Sequence, residues 1–269
     1  MDEFNNDDLT QNVEDEISIT DKMVGVLTEP SSLFQKLSHQ KPKVLDWVLP
    51  IILIIIFASL SRFVMMSNPE IKADAIEKQM TMMEKNIQEA VDKGNLSQEK
   101  ADEILEKTRE SMEKGGTSQL VMAAVGIAIF SFIIFFIIAG IFYLVAKITL
   151  GGTGTYSDAM VAYGLPFYIL VIQIIVMIIV SMAMNKMFID TSVGSFLGME
   201  NNTLIGLLAH KLDIFSIWFY AVVSIAFAKM FKSENTTKYL ITFFGLWIGF
   251  SVLMFFISQG VPFLKFLNM

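Results

Sequence analysis

Residues 120–146 run for 27 positions without one charged side chain. Such a stretch has few places to go. A helix needs about 20 apolar residues to cross a bilayer, because the hydrocarbon offers its backbone no hydrogen-bonding partner. Four more stretches are nearly as apolar, at residues 47–66, 159–184, 214–231 and 239–258, with Arg62 and Lys229 their only charges. One such run would fit the buried helix of a soluble core. Five of them, with almost no polar face, do not. The composition agrees, with 54% hydrophobic and 17% charged residues, against about 25% charged in an ordinary soluble domain. The expected fold class is all-α: a polytopic membrane helical bundle of five transmembrane helices, with an extramembrane helical hairpin between spans 1 and 2. The last segment, residues 261–269, is too short to cross again.

Charge is unevenly placed. Residues 1–29 hold nine Asp/Glu against the single Lys22, whereas the rest of the chain holds nineteen Lys/Arg and eighteen Asp/Glu. The net charge of −7 therefore resides in an N-terminal tail. Residues 1–19 read as an acidic, disordered cytoplasmic tail with too little apolar surface to order itself. They lack the early apolar run of a signal peptide. No basic patch points to nucleic acid. Residues 20–45 hold two apolar clusters, Met23, Val24 and Leu27, then Leu33, Phe34 and Leu37 after Glu29-Pro30. These predict amphipathic juxtamembrane helices lying in the interface, with Lys36, Lys41 and Lys43 toward lipid headgroups. Counting Lys/Arg at the span edges outside residues 67–118, seven lie inside and four outside if the N-terminus is cytoplasmic. The expected topology is N-terminus in and C-terminus out.

Spans 1 to 5 thus occupy residues 46–66 and, within 119–258, the other four runs, with a C-terminal tail at 259–269. Between spans 1 and 2, residues 67–118 carry eight basic and twelve acidic side chains. Asn68-Pro69 is a helix start. Apolar residues recur at Ile76, Met80, Met83, Ile87 and Ala90 or Val91, a narrow helical seam. Gly94-Asn95 breaks the run, and Ser97 caps a second stripe through Ala101, Ile104, Leu105, Thr108 and Met112 to Gly115-Gly116. This spacing predicts a charged, coiled-coil-like antiparallel hairpin, either a plain solvated connector or an arm whose thin seam calls for a partner or a second copy.

Chemistry is sparse. With no Cys, disulfides, thiolate metal sites and a cysteine nucleophile are excluded. His39 and His210 are the only histidines. His210 beside Asp213 reads as an interfacial contact at a span edge. Asp46, Arg62, Lys147, Asp213 and Lys229 read as anchors that reach the interface by snorkelling. The deeper polar groups are Tyr143, Tyr163, Gln173, Trp218 and Tyr220. Gln173 is expected to bond another helix, and Pro166, preceded by Gly164, to kink span 3. Gly151-Gly152-Thr153-Gly154 lacks the Gly-Lys-Ser/Thr ending of a phosphate loop and reads as a flexible turn. The half-apolar loop at residues 185–211 is expected to lie on the bilayer or dip into it. The candidate intramembrane functional or packing residues are Tyr163, Gly164, Pro166, Gln173, Asp213 and Trp218. No catalytic, cofactor-binding or metal-binding residues are expected, and no cofactor.

The last two spans carry a familiar pattern. Leu212-Asp213-Ile214-Phe215-Ser216-Ile217-Trp218 is followed by an apolar run and then by Lys232-Ser233, Thr236-Thr237 and Lys238. Leu27-Thr28-Glu29-Pro30-Ser31-Ser32-Leu33-Phe34 and Ala162-Tyr163-Gly164-Leu165-Pro166 accompany it. Together with the five spans, these resemble the bacterial branch of the Yip family, Ypt/Rab-interacting membrane proteins, from about Met23 to Ser258. The resemblance implies a non-enzymatic integral protein of the bacterial cytoplasmic membrane that organises, scaffolds or adapts other components. The implied partners are membrane lipids and other membrane proteins, including a second copy through the hairpin at 70–114. Partner identity does not carry over from the eukaryotic members, and no catalytic residues transfer. The alternative expectation is a small transporter, channel or lipid-moving protein using spans 2–4, with Tyr163, Pro166, Gln173 and Trp218 along its path.

Overall fold

The computed structural model describes residues 17–114 and 117–260, and among these every regular element is helical. Most of the expected acidic tail, the C-terminal segment from residue 261 and the Gly115-Gly116 break lie outside the described residues. Helix α1 (Ile19–Thr28) starts at Ser18, whose hydroxyl accepts the Asp21 N–H. Helix α2 (Pro30–Leu37) has Pro30 in its first turn, where the missing N–H costs nothing. Span 1 is α3 (Leu45–Met66). Asn68 then accepts from the N–H groups of Glu70 and Ile71 and starts α4 (Pro69–Asp92), as its position before Pro69 predicts. Gly94, at φ +72°, turns the chain into α5 (Gln98–Lys114). The seam between α4 and α5 forms, with Met80 and Ala101 buried and Met83, Ile87 and Leu105 half-buried.

Span 2 is α6 (Thr117–Leu144), running on into a π-helical turn at Val145–Thr149. Span 3 is interrupted, as α7 (Tyr156–Gly164) and α8 (Phe167–Met184), with Pro166 at the break. The outer loop folds into α9 (Val193–Leu197) and α10 (Leu204–Lys211). Then come α11 (Ile214–Met230) and α12 (Thr236–Gly260). Four stretches of described helix are long and apolar enough to cross a membrane. The fifth expected span is different. At 17 residues α11 is too short to qualify alone, and it passes only together with α10, from which it is bent by 66°.

Hydrogen bonds sort the loops into two sides. On one side, Thr153 N–H donates to the Phe231 carbonyl and Lys238 Nζ to the Leu150 carbonyl, joining the loop after α6 to the α11–α12 turn. On the other, Asn68 donates to Asn185, and Asp74 accepts the Met187 N–H. These bonds join the base of the hairpin to the loop after α8. The α11 helix begins on the second side and ends on the first. Helix α11 therefore joins the two sides, and with the four long helices the chain has up to five crossings.

The core lies around α11, whose Val222, Val223, Ala226, Phe227 and Ala228 are all buried. Between lipid-immersed helices there is no hydrophobic drive to associate, so close packing must hold them. Small residues and aromatic rings supply it here. A Cβ on Gly164 would stand 2.5 Å from the Trp47 Cβ, so α7 and α3 touch through backbone at that point. The outward stripe of α6, including Ile129, Ile133, Ile137 and Ile141, remains exposed. Such a surface is stable in lipid and not in water.

Two local expectations are corrected. Residues 151–154 are not a free turn. A Cβ on Gly152 would meet the Tyr239 hydroxyl at 2.6 Å, and one on Gly154 the Phe231 ring at 2.8 Å, so the loop is pressed against the α11–α12 turn. Nor do α1 and α2 simply lie on a headgroup surface. Leu33, Phe34 and Leu37 bury themselves in the core of the bundle, and α2 packs on α11. In α1, Lys22 is buried beside Val26 and Leu27 packs on the core, while Met23 and Val24 face outward.

Candidate functional site

Three polar constellations and one aromatic one hold the side chains on which function could rest. At the first side of the bundle, Lys22 Nζ donates to Asp46 Oδ1 at 2.6 Å, and each side chain is only 5% exposed. Asp46 lies in the first turn of α3. It is no snorkelling anchor, as a lone carboxylate at a span end would be. It is neutralised from within by a lysine of α1.

At the opposite side, Asp213 caps α11 and is 2% exposed. Its Oδ1 accepts from the Phe215 N–H at 2.9 Å and from the Thr191 hydroxyl at 3.0 Å. Its Oδ2 accepts from Gln173 Nε2 at 2.6 Å and from the Ser216 hydroxyl at 3.3 Å. Four donors satisfy one carboxylate, and the helix dipole adds to its stabilisation. Gln173 also donates to the Thr191 hydroxyl at 3.1 Å, so α8, the outer loop and α11 meet at this point. Asp213, too, is buried rather than snorkelling, and it does not pair with His210.

His210 belongs to a separate clasp. Its Nδ1 lies 3.1 Å from both Ser192 Oγ and Asp190 Oδ2, and its Nε2 lies 2.9 Å from the Met199 carbonyl oxygen. Ser192 and Ser195 each donate to Asp190 Oδ1. Burial raises the Asp190 carboxyl, but the hydrogen bonds from Ser192 and Ser195 and the contact with His210 outweigh it. They hold the group below the ordinary carboxylate range. Ser, His and Asp together suggest a nucleophilic triad. Such a relay needs the serine and the carboxylate on different ring nitrogens. Here both face Nδ1, and Ser192 already serves as the N-cap of α9. The clasp is built to fasten α9 to α10. Among the described residues no three His, Asp or Glu side chains are grouped to hold a metal ion.

Tyr163 lies in the centre of the bundle, 5% exposed, with the rings of Phe135, Phe142, Phe167 and Phe219 at 5.4, 5.6, 5.1 and 5.8 Å. Each such ring pair contributes about 0.5–1.5 kcal/mol. Trp47 stacks on Phe135 at 5.3 Å and extends the cluster to span 1. Gly164 and Pro166 are buried beside it.

A family model for the Yip1 domain matches residues 24–257. The chain belongs to the Yip1-domain family. No curated protein and no solved structure matches it. The match runs from within α1 to within the last turn of α12, and with the apolar helices it makes this Yip1-domain protein an integral membrane protein.

Of the six residues singled out in the sequence, the Yip1 fold brings Gln173 and Asp213 into direct contact and sets Tyr163, Gly164 and Pro166 together in the core. Trp218 packs its half-buried ring on Phe215, at 6.5 Å. Gln173 is ten positions beyond Tyr163, roughly 15 Å along a helix, so the six do not share one surface. Sequence reading missed the Lys22–Asp46 pair and Thr191. One signal for the pair was present: Lys22 is the lone cation in 29 acidic-rich residues, ahead of a carboxylate at the mouth of span 1.

Proposed function

We propose that this Yip1-domain protein is a non-enzymatic, membrane-organising scaffold or adaptor of the bacterial cytoplasmic membrane. Its N-terminal helices face the cytosol. The charged hairpin of α4 and α5 is its contact arm toward other membrane proteins or a second copy of the chain. One observation carries this reading: the polar side chains at the ends of the spans are spent on one another. Asp213 is saturated by Gln173, Thr191, Ser216 and the Phe215 amide, and Asp46 by Lys22. A transport path through spans 2–4 would need Tyr163 and Pro166 beside open space, and both are closed in packed core. The hairpin offers the opposite picture, with exposed charged flanks and the exposed apolar side chains Met82 and Ile104 beside its seam.

Photo-crosslinking in native membranes tests the reading. A photoreactive side chain at the exposed Glu84 or Asn95 should give protein adducts, and the proteins so captured should no longer co-purify with a chain that lacks residues 70–114. Lipid adducts alone would contradict it. So would purified protein that moves a lipid or solute across liposomes, with Gln173→Leu and Pro166→Ala stopping the movement.

A further inference from the structure

The segment between α8 and α11 is built inside out. Four of its polar groups, Asp190, Ser192, Ser195 and His210, turn inward onto one another, while Glu200, Asn202 and Thr203 are exposed together in the turn between the two helices. Its apolar groups turn outward, with Phe196, Leu197, Ile205, Leu208, Leu212 and Ile214 all exposed, Leu197 by 69% and Ile205 by 73%. The unit is also rigid. A Cβ on Gly194 would stand 2.5 Å from His210 Cδ2, so α9 and α10 touch at that point, and one on Gly206 would collide with the Glu200 carbonyl oxygen, so the turn between them is pressed onto α10.

We infer that α9 and α10 form a preformed wedge embedded in one leaflet of the bilayer, the partner of its outer face being lipid acyl chains. Three observations carry this. First, α11 has 17 residues and spans about 25 Å, short of the roughly 30 Å of hydrocarbon. Its outer end therefore lies below headgroup level and carries the end of α10 down with it. Second, the 66° bend sets α10 closer to the bilayer plane than to its normal when α11 stands upright, the attitude of an interfacial helix. Third, Leu212 and Ile214, 58% and 72% exposed, carry the exposed apolar face of α10 on to the start of α11. In water, a patch of this kind would be an aggregation site. The wedge adds protein volume to one leaflet only, so the protein should favour curved or loosely packed membranes. This inference does not depend on the scaffold reading.

The absence of cysteine makes the test direct. Leu197→Cys, Ile205→Cys and the hairpin-tip control Asn95→Cys, each in the full chain, are labelled with a nitroxide and reconstituted in phosphatidylcholine–phosphatidylglycerol vesicles. All three positions are exposed, so the label displaces no packing. Collisions with oxygen and with a water-soluble nickel chelate are then compared by electron paramagnetic resonance. The wedge predicts an oxygen-to-nickel ratio at positions 197 and 205 several-fold above that at 95. Nickel access equal to that at the hairpin tip would show a water-exposed cap. Labels shielded from both reagents, with dipolar broadening, would show that a second copy covers the face. Either result overturns the inference.

Discussion

Lys22 and Asp46 illustrate what a single charge demands inside this molecule. Each side chain is 5% exposed, and their contact is 2.6 Å. Removing one partner leaves a buried charge without compensation, at a cost of about 3–5 kcal/mol, whereas replacing both with apolar groups is often close to neutral. Lys22→Met should therefore lower the thermal unfolding midpoint in detergent. Lys22→Met combined with Asp46→Leu should recover most of the loss. Equal midpoints for the single and double variants would show that the pair is not what fastens α1 to span 1. Neither residue announced this role, because they are 24 positions apart and no helical period links them. Gly164 is similar. Its place before Pro166 pointed to a kink, but its closeness to Trp47 is a fact of two packed helices and has no local sequence signature.

At the scale of elements, legibility follows how local the cause is. The course of the hairpin could be read, because the Asn68 cap, the seam through Met80 and Ala101 and the turn at Gly94 all act within a few positions, though Ile104, expected in the stripe, is exposed. The Gly151–Gly154 loop and the partner of His210 could not, since each is fixed by residues from other elements. The α9–α10 clasp has its own pH signature. The Asp190 carboxyl is held below its ordinary value in the folded protein. Its stabilising contribution is therefore complete above the unfolded pKa of about 4 and is lost as pH falls through the folded value. The unfolding midpoint of Asp190→Asn should lie below that of the wild type near neutral pH, then converge with it in strong acid. A margin that persists undiminished at low pH would mean that the ionised carboxylate is not what holds the clasp.

For the molecule as a whole, the apolar runs made the helical, membrane-crossing architecture legible, and four of the five appear at full length. The fifth was legible as a crossing but not as a short helix with a bent entrance. Apolar composition reports what a segment can be immersed in, not where its axis turns. The paired loops set the hairpin and the outer loop on one side, and residues 150–155 with the α11–α12 turn on the other. With the N-terminus cytoplasmic, an impermeant maleimide should label Asn95→Cys in intact cells and Asn235→Cys only after permeabilisation. The reverse pattern would invert the topology. The two buried polar ends also differ in when they can close. Lys22 leaves the ribosome before Asp46, so span 1 can enter the lipid with its acid already neutralised. Gln173 is made 40 residues ahead of Asp213, so this end stays open until α11 has followed α8 into the membrane.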